Sequence, residues 1–408
     1  MMKTGLLTCL AAFLVLSAPI TNSADQWLSN AQLIDGLPDA KVRAVNLRIS
    51  SGKIAEITAA GNRADAIDLQ GAFLLPGFID AHTHIEDPAS AKRALLSGVT
   101  TTRVLGDAYL KAMATRDLVR AGYIQGPQML VSGGHVRPRL GEPFILSFPQ
   151  FGQYLDAPLQ GADNVAVVVR AVAARGADVI KVGASERAGL ARTDPRRQEL
   201  SYEEIRAAVL EAGKAGLFVA AHAHDRHGAN AAVRAGVRSI EHGTYLDDET
   251  LALMRKQGTF FVPTLAIMSP LGDPHGDSAD DVALQLRTTH MMRPLRDAVR
   301  KARALGITVA VGTDGTYGDG DESSRVRPGH EVAELVACGY TPLEAITSAT
   351  YNSARVLGID ARTGSVAVGL EADLLVVDRD PRTDPTTLFE PMVVITDGKI
   401  VLNRLSQR

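Results

Sequence analysis

The side chains of this chain that are best suited to bind a metal recur at the ends of strand-like runs. His82 and His84 end the first run, and His222, His242 and Asp314 end three later ones. Alternate residues of a strand point to the same face, so His82 and His84 can hold one cation together. Neutral imidazoles and carboxylates are ligands of divalent transition metals. Only ten of the 408 residues are histidines, so this repeated position predicts a metal centre that could activate water.

Lys181 and His224 are further candidates near the same strand ends. A free ammonium must lose its proton before it can bind a metal. A barrel lysine paired with an acid such as Asp314 is therefore one interpretation of Lys181. His224 shares a strand face with His222, and the two histidines compete for one ligand position.

These side chains need a scaffold that brings distant strand ends together. Strand-like runs alternate with amphipathic helices, which indicates parallel βαβ units, and eight such units close most simply as a (β/α)8 TIM barrel with its chemistry at the carboxyl ends of the strands. We predict this α/β barrel over residues 76–362. The predicted strands are Gly77–His84, Val99–Leu105, Gln128–Ser132, Asp178–Val182, Phe218–His222, Arg238–His242, Thr259–Pro263 and Ile307–Asp314. The clearest predicted helices are Ser201–Ala215, which opens with a Ser201/Glu204 capping box, Asp247–Gln257 and Met291–Leu305.

Short strand-like runs also occupy both ends of the chain, at residues 25–75 and 363–408. Neither segment is large enough to bury a core alone. We therefore expect the two segments to form one small composite β-sandwich beside the barrel.

The first 24 residues have the features of a secretory signal peptide: a positive start at Lys3, a short apolar run and a small residue, Ala24. We expect an exported protein, periplasmic or secreted, with no membrane partner once the signal is removed. Cys338 is then the single cysteine left, so no intramolecular disulfide can form. The net charge of −3 gives no basic surface for nucleic acid.

Four motifs resemble one known family. Residues 75–84 (LPGFIDAHTH), 240–244 (IEHGT), 311–314 (VGTD) and 369–374 (GLEADL) are similar to motifs of the amidohydrolase superfamily. The resemblance is to the prolidase-like, imidazolonepropionase-related group. This group includes Xaa-Pro dipeptidases, N-acyl amino acid carboxypeptidases and ochratoxinase-type amidases.

The resemblance implies a centre of two divalent metals, zinc by expectation. It implies that Lys181 is carboxylated and bridges them, that His82, His84 and Asp314 hold one metal, and that His222 and His242 hold the other. The metals would acidify a water to hydroxide, and Asp314 would transfer its proton to the leaving amine. The expected reaction is hydrolysis of the amide bond of a dipeptide or an N-acyl amino acid. Relatives of this kind are commonly homo-oligomers.

Two alternatives stay open from the sequence. One is a mononuclear deaminase or cyclic-amide hydrolase of the same superfamily. Deaminases that resemble this chain carry a glutamate three positions after the histidine that ends the fifth strand. This chain has Asp225 three positions after His222. Such deaminases also normally lack the lysine that this chain has, as Lys181, near the end of its fourth strand. The other alternative is a non-catalytic barrel relative. Such relatives lose ligands, whereas this chain keeps all of those expected.

Substrate contacts are less specified by the sequence. His135 follows strand three in a Gly-Gly-His segment, and His135, His224, Arg137 and Tyr245 are the candidate substrate-binding residues. A substrate carboxylate would call for an arginine or tyrosine. Further candidates, which the sequence does not rank, are Arg139, Tyr154, Arg187 and Arg226. The long segment 133–161 is predicted to be a lid or pocket wall.

Overall fold

The computed structural model describes residues 25–190, 192–268, 281–320 and 322–407. The predicted signal peptide therefore lies outside the described residues. Across these ranges, none of the helices combines the length and the apolar character that crossing a bilayer requires.

The central part of the chain alternates strands with helices, as predicted. Its strands are β6 (Phe78–Thr83), β7 (Val99–Val104), β8 (Gln128–Val131), β9 (His135–Val136), β10 (Ile180–Gly183), β11 (Val219–Ala223), β12 (Ser239–His242) and β13 (Phe260–Val262). Its helices are α1 (Pro88–Leu96), α2 (Tyr109–Arg120), α3 (Glu142–Ser147), α4 (Ala162–Ala174), α5 (Tyr202–Lys214), α6 (Arg226–Ala235), α7 (Asp248–Gln257), α8 (Val282–Ala304), α9 (Pro328–Ala337), α10 (Pro342–Ala349) and α11 (Tyr351–Leu357). Short 3-10 turns lie at Pro149–Tyr154, Glu322–Arg325, Pro385–Leu388 and Leu405–Gln407.

The barrel strands form two parallel arcs among the described residues, β6-β7-β8 and β9-β10-β11-β12-β13. Backbone hydrogen bonds join the arcs. Asp178 N donates to Val131 O over 2.9 Å at one seam; at the other, Ala310 N donates to Phe261 O and Ala81 N to Val311 O, each over 2.9 Å. The architecture is a TIM-barrel-like α/β fold, and its strands are almost wholly buried because helices cover them. Complete closure by eight strands stays a prediction.

The predicted eighth strand, Ile307–Asp314, is not a continuous strand. It makes isolated parallel bridges, Phe261↔Val309 and Thr83↔Gly315. The physical reason lies in its last residues. Thr313 gives its backbone N–H and its hydroxyl to the buried Asp80 carboxylate, over 2.9 and 2.6 Å, and Asp314 adopts a positive φ of 57°. Neither feature is compatible with a regular ladder.

Local capping explains where the helices begin. Ser201 and Glu204 form the predicted capping box of α5. Asp247 accepts the N–H of Thr250 at the start of α7, which ends at Gly258 with a positive φ of 72°. The third predicted helix, Met291–Leu305, was predicted too short at its amino end, since α8 begins at Val282 and contains Pro294.

The terminal segments pair with each other in one sheet. Its strands are β1 (Gln26–Leu33), β2 (Arg43–Ser50), β3 (Lys53–Ala59), β4 (Ala66–Asp68), β5 (Phe73–Pro76), β14 (Leu374–Val377), β15 (Val393–Thr396) and β16 (Lys399–Asn403). The order is β16-β15-β14-β5-β1-β2-β3, with β4 beside β1, so β5 and β14 join the two ends of the chain. Its apolar residues form a core separate from that of the barrel. The two-layer sandwich itself stays a prediction.

Candidate metal centre

Two groups of side chains that could hold a metal meet at the carboxyl ends of the barrel strands. His82, His84 and Asp314 form one group, and His222, His224 and His242 form the other. Within each group, one potential ligand atom per residue lies within 4.8 Å of the others. The groups adjoin, since the ring centroids of His82 and His242 are 5.0 Å apart.

Carboxylates orient the histidines of the first group. His82 Nδ1 donates to Glu241 Oε2 over 2.9 Å, and its Nε2 lies 3.3 Å from Asp314 Oδ1. His84 lies between two carboxylates, with Nδ1 2.5 Å from Asp107 Oδ1 and Nε2 2.8 Å from Asp314 Oδ1. Burial disfavours the charged form of His84, but these two carboxylates outweigh it and raise its pKa to about 10.

A buried ion pair holds the Glu241 carboxylate. Arg103 Nη2 lies 2.8 Å from Glu241 Oε1, and both side chains are at most 2% exposed. Ser239 donates to the same oxygen over 2.5 Å, and Arg103 also donates to Ala81 O over 2.7 Å. Burial opposes ionisation, but Arg103 and His82 hold the pKa of Glu241 well below its usual range. Glu241 is therefore an ionised acceptor that fixes which nitrogen of His82 faces the site.

The second group is oriented by hydroxyls and a carbonyl. His222 Nε2 lies 3.3 Å from Glu186 O, which leaves its Nδ1 as the free ring nitrogen. His224 Nδ1 is hydrogen-bonded to Thr244 and His242 Nδ1 to Thr264, over 2.9 and 2.8 Å. Burial lowers the pKa of all three histidines, to about 3 for His224 and well below the usual value for the other two. They are neutral at physiological pH, which is the form that binds metals.

Lys181 lies close to both groups. Its positive charge lowers the pKa of His82 in the first group and of His222 and His242 in the second. The side chain is 2% exposed, and within the described part of the chain its Nζ has no hydrogen-bond partner. Burial lowers the pKa of Lys181 to about 8. A buried amine without a hydrogen-bond partner is costly, although the Glu241 and Asp314 carboxylates favour its charged form.

Three residues around the pocket have left-handed backbone. His242 has a φ of 72°, Thr264 of 51° and Asp314 of 57°. Such angles are uncommon for residues with a side chain, and strain of this kind clusters at functional sites. A glycine also matters here: a Cβ at Gly312 would lie 2.7 Å from the Cβ of His82, so only glycine fits behind this ligand.

The two groups form the floor of an open pocket of about 150 Å³. Its apolar wall consists of Leu105, Ile267, Met268 and Leu295. Arg187 lies on the rim together with Ala188 and Gly189. The pocket can thus admit an apolar group beside the histidines.

The predicted substrate contacts divide into two sets. His135 and His224 line the pocket, and His135 Nε2 is buried with no partner among the described residues. Arg137 and Tyr245 are not among the described residues that line it. Arg137 is paired with Glu199, and the Tyr245 ring lies 6.5 Å from that of His290. Of the predicted lid or wall, residues 133–161, His135 is the only described residue that borders the pocket.

Sequence reasoning missed the residues that support the ligands. These are Arg103, Asp107, Glu186, Ser239, Glu241, Thr244 and Thr264. Glu241 had a usable signal, since a carboxylate inside a buried strand needs a partner. The others gave no specific signal, because single hydroxyls, carbonyls, carboxylates and arginines are common in a sequence and their partners lie far away along the chain.

The donor set fits divalent transition metals. Five histidines and the Asp314 carboxylate converge, and each histidine has a second hydrogen bond on its other ring nitrogen, which is the usual support of metal ligands. Four of the five imidazoles are neutral, while the flanking carboxylates favour the charged form of His84. Lys181, whose Nζ has no hydrogen-bond partner among the described residues, lines the same pocket.

Comparison with known proteins identifies the class. The model of the amidohydrolase family matches residues 73–401, so the chain belongs to this family. It is 29% identical to an ochratoxinase from Aspergillus niger over 365 residues, which cover 79% of this chain and 73% of that protein.

Solved structures agree. A crystal structure of a Xaa-Pro dipeptidase with methionine bound in its active site matches with a TM-score of 0.81 at 27% identity, covering 93% of this chain and 100% of that one. The structure of A. niger ochratoxinase matches with a TM-score of 0.78 at 25% identity, covering 93% and 96%. Both neighbours fit the prolidase-like branch. The chain is a hydrolase that acts on amide C–N bonds.

Proposed function

We propose that this protein is an exported, binuclear metal-dependent amidohydrolase that cleaves the amide bond of a dipeptide or an N-acyl amino acid. The observation that carries the proposal is the position of Lys181, whose buried Nζ has no hydrogen-bond partner among the described residues and which lines the same pocket as two groups of candidate metal ligands. A single-metal site would have no use for the second group. The dipeptidase and ochratoxinase neighbours support the substrate class.

The ligand assignment follows the two groups. His82, His84 and Asp314 would hold one cation, and His222 and His242 the other, with a carboxylated Lys181 shared between them. His224 would be a neighbour or a substrate contact. Two divalent cations, zinc by preference, would lower the pKa of a water molecule and polarise the scissile carbonyl.

Asp314 would move the proton. Its Oδ1 is engaged by His84 and His82, whereas Oδ2 has no hydrogen bond to the described residues. Asp314 Oδ2 is thus free to accept the proton of the attacking water and to return it to the leaving amine. His135, with its unpartnered Nε2 on the pocket wall, is available to donate to or accept from a substrate oxygen or nitrogen.

The position of Asp225 does not favour the deaminase alternative. Asp225 accepts the N–H groups of His227 and Gly228 as the cap of α6, so its carboxylate is occupied away from the pocket. A deaminase would need an acid at this point to face the substrate.

The test is amide hydrolysis by zinc-reconstituted protein, prepared with bicarbonate, against Xaa-Pro dipeptides and N-acyl amino acids, with metal counted on the same sample. We expect close to two metals per chain and turnover that the Asp314→Asn variant reduces by roughly 10³-fold or more. One metal per chain would overturn the binuclear proposal, and a nearly active Asp314→Asn protein would overturn the role of Asp314.

Export is part of the proposal and rests on the composition of residues 1–24. Amino-terminal sequencing of protein recovered from the periplasm or medium should begin close to Asp25. The homo-oligomeric state also stays a prediction, for which the mass of the purified protein in solution is the measurement.

A further inference from the structure

One cation lines the pocket without a direct ion pair among the described residues, although the Glu199 and Asp314 carboxylates are close enough to favour its charge. Arg187 follows β10 and lines the pocket. Within the described part of the chain, its guanidinium makes no hydrogen bond and no ion pair, whereas most arginines near the site are engaged. A guanidinium with five donors and no acceptor beside a binding pocket is suited to a planar anion.

The chain holds Arg187 next to the histidine cluster. The preceding residue, Glu186, lies with its carbonyl 3.3 Å from His222 Nε2, and Ser185 Oγ accepts the N–H of His224 over 2.7 Å. Arg187 is therefore one residue away from a direct contact with a predicted ligand. It is exposed enough to meet a substrate in the pocket mouth.

The loop that carries Arg187 is fixed in place at its far end as well. Arg287 of α8 donates to the carbonyls of Ala188, Leu190 and Thr193 over 2.8, 2.6 and 2.7 Å. Thr193 Oγ1 also donates to the Arg187 carbonyl, over 2.5 Å. These bonds order the backbone on both sides of Arg187, which is what a recognition residue needs.

The other candidate cations are occupied or point elsewhere. Arg137 is buried and paired with Glu199. Arg226 donates to His227 over 3.1 Å, away from the pocket, and Arg139 is exposed outside its lining. Among the described residues, Arg187 is the arginine that borders the pocket.

We propose that Arg187 binds the free α-carboxylate of the substrate, while Leu105, Ile267, Met268 and Leu295 receive its apolar part. This inference rests on the proposed function for the reaction, but it concerns recognition alone. In an N-acyl amino acid or dipeptide only the α-carbon separates the scissile amide nitrogen from the carboxylate. The cation that binds the carboxylate must therefore adjoin the metal ligands, as Arg187 does.

Recognition is tested on the holoenzyme with a ligand that is not hydrolysed. N-tosyl-L-phenylalanine carries a sulfonamide in place of the amide, and its carboxamide differs in the carboxylate alone. Calorimetric titration gives Kd for both ligands with the wild type, Arg187→Gln and Arg192→Gln. Arg192 is the matched control, because it is an exposed arginine of the same loop that does not line the pocket.

We expect the wild type and Arg192→Gln to bind the acid about 10- to 100-fold more tightly than the carboxamide. Arg187→Gln should lose this preference and keep the affinity for the carboxamide. For substrates that are hydrolysed, the loss should appear mainly in KM, and Arg187→Lys should recover part of it.

An unchanged acid preference in Arg187→Gln, or equal binding of both ligands by the wild type, would overturn the inference. Failure of the proposed reaction gives a different result. In that case no amide is hydrolysed by any variant, while the Arg187-dependent preference for the acid persists in the titrations.

Discussion

The Glu241→Gln substitution tests whether a buried ion pair supports both the fold and the metal site. The change keeps the volume and removes the charge. Arg103, with a side chain 2% exposed, then loses the carboxylate 2.8 Å away and keeps one carbonyl and one hydroxyl as acceptors. Breaking one partner of a buried pair costs about 3–5 kcal/mol, because the other charge stays uncompensated. We expect a loss of this size in the free energy of unfolding, measured by urea denaturation.

The same substitution should weaken metal binding, because a neutral glutamine at position 241 would no longer be an ionised acceptor for His82 Nδ1. Losing such a partner of a metal ligand typically costs about 10- to 100-fold in affinity. Competition against a chromophoric chelator measures this directly and needs no enzymatic turnover.

The double variant Arg103→Met, Glu241→Gln separates the two effects. Removing both charges leaves no unpaired ion, so stability should return to within about 1–2 kcal/mol of the wild type. Metal affinity should stay low, since His82 still lacks its carboxylate. Stability would then depend on whether the charge of Arg103 is left without a partner, and metal binding would depend on the carboxylate of Glu241.

The matched control is Glu390→Gln, which removes the carboxylate of an exposed pair whose atoms are 3.5 Å apart and whose glutamate is 84% exposed. A change below about 1 kcal/mol is expected there. If Glu241→Gln unfolds at the same urea concentration as the wild type and binds metal equally well, the Arg103–Glu241 pair supports neither the fold nor the metal site.

Three further predictions follow from single positions. Lys181→Gln should lower the metal content from about two per chain to one or none, as elemental analysis would show, while an unchanged content would exclude a bridging role. Gly312→Ala should destabilise the fold by about 1–3 kcal/mol in urea denaturation, because its Cβ would lie 2.5 Å from a Val262 methyl and 2.7 Å from the Cβ of His82. Burial raises the pKa of Glu331 to about 8, from 4.5. The raised pKa contributes stability that is fully present below pH 4.5 and is lost as the pH rises through about 8. The melting temperature of the wild type, measured relative to that of Glu331→Gln, should therefore fall between pH 5 and pH 9. A difference in melting temperature that stays constant over this range would contradict the raised pKa.

The strand ends were predictable because they follow a simple periodicity. Buried apolar runs located the seven regular barrel strands from β6 to β13 other than β9, and three of these runs end in histidine. The His-x-His spacing predicted that His82 and His84 share a face, and in the structure both lie beside Asp314. The capping box of α5 was predictable too, since Ser201 and Glu204 act over one helical turn.

Contacts between distant residues were not predictable in the same way. Nothing in the residues around Arg103 indicates that it lies beside Glu241, because the pair joins two strands, β7 and β12, whose paired residues are 138 positions apart. Which arginine near the pocket is available to a substrate also depends on contacts between residues that are distant in the sequence. Arg137 and Arg187 look equivalent in the sequence, but in the structure Arg137 forms the direct ion pair with Glu199. Arg187 has no direct ion pair among the described residues, although the charge of Glu199 reaches it too.

The Glu241-His242 pair shows why alternation alone cannot describe this site. Consecutive residues of a regular strand point to opposite faces, yet Glu241 and His242 both approach His82, one by a hydrogen bond of 2.9 Å and one with ring centroids 5.0 Å apart. The positive φ of 72° at His242 is what turns its side chain to the same side. Because left-handed backbone is unfavourable for a histidine, the fold must hold it, and the bond of His242 to Thr264 contributes to this. The strand β12 therefore supplies both a candidate ligand, His242, and the support for another candidate ligand, His82, and it does so with a strained residue.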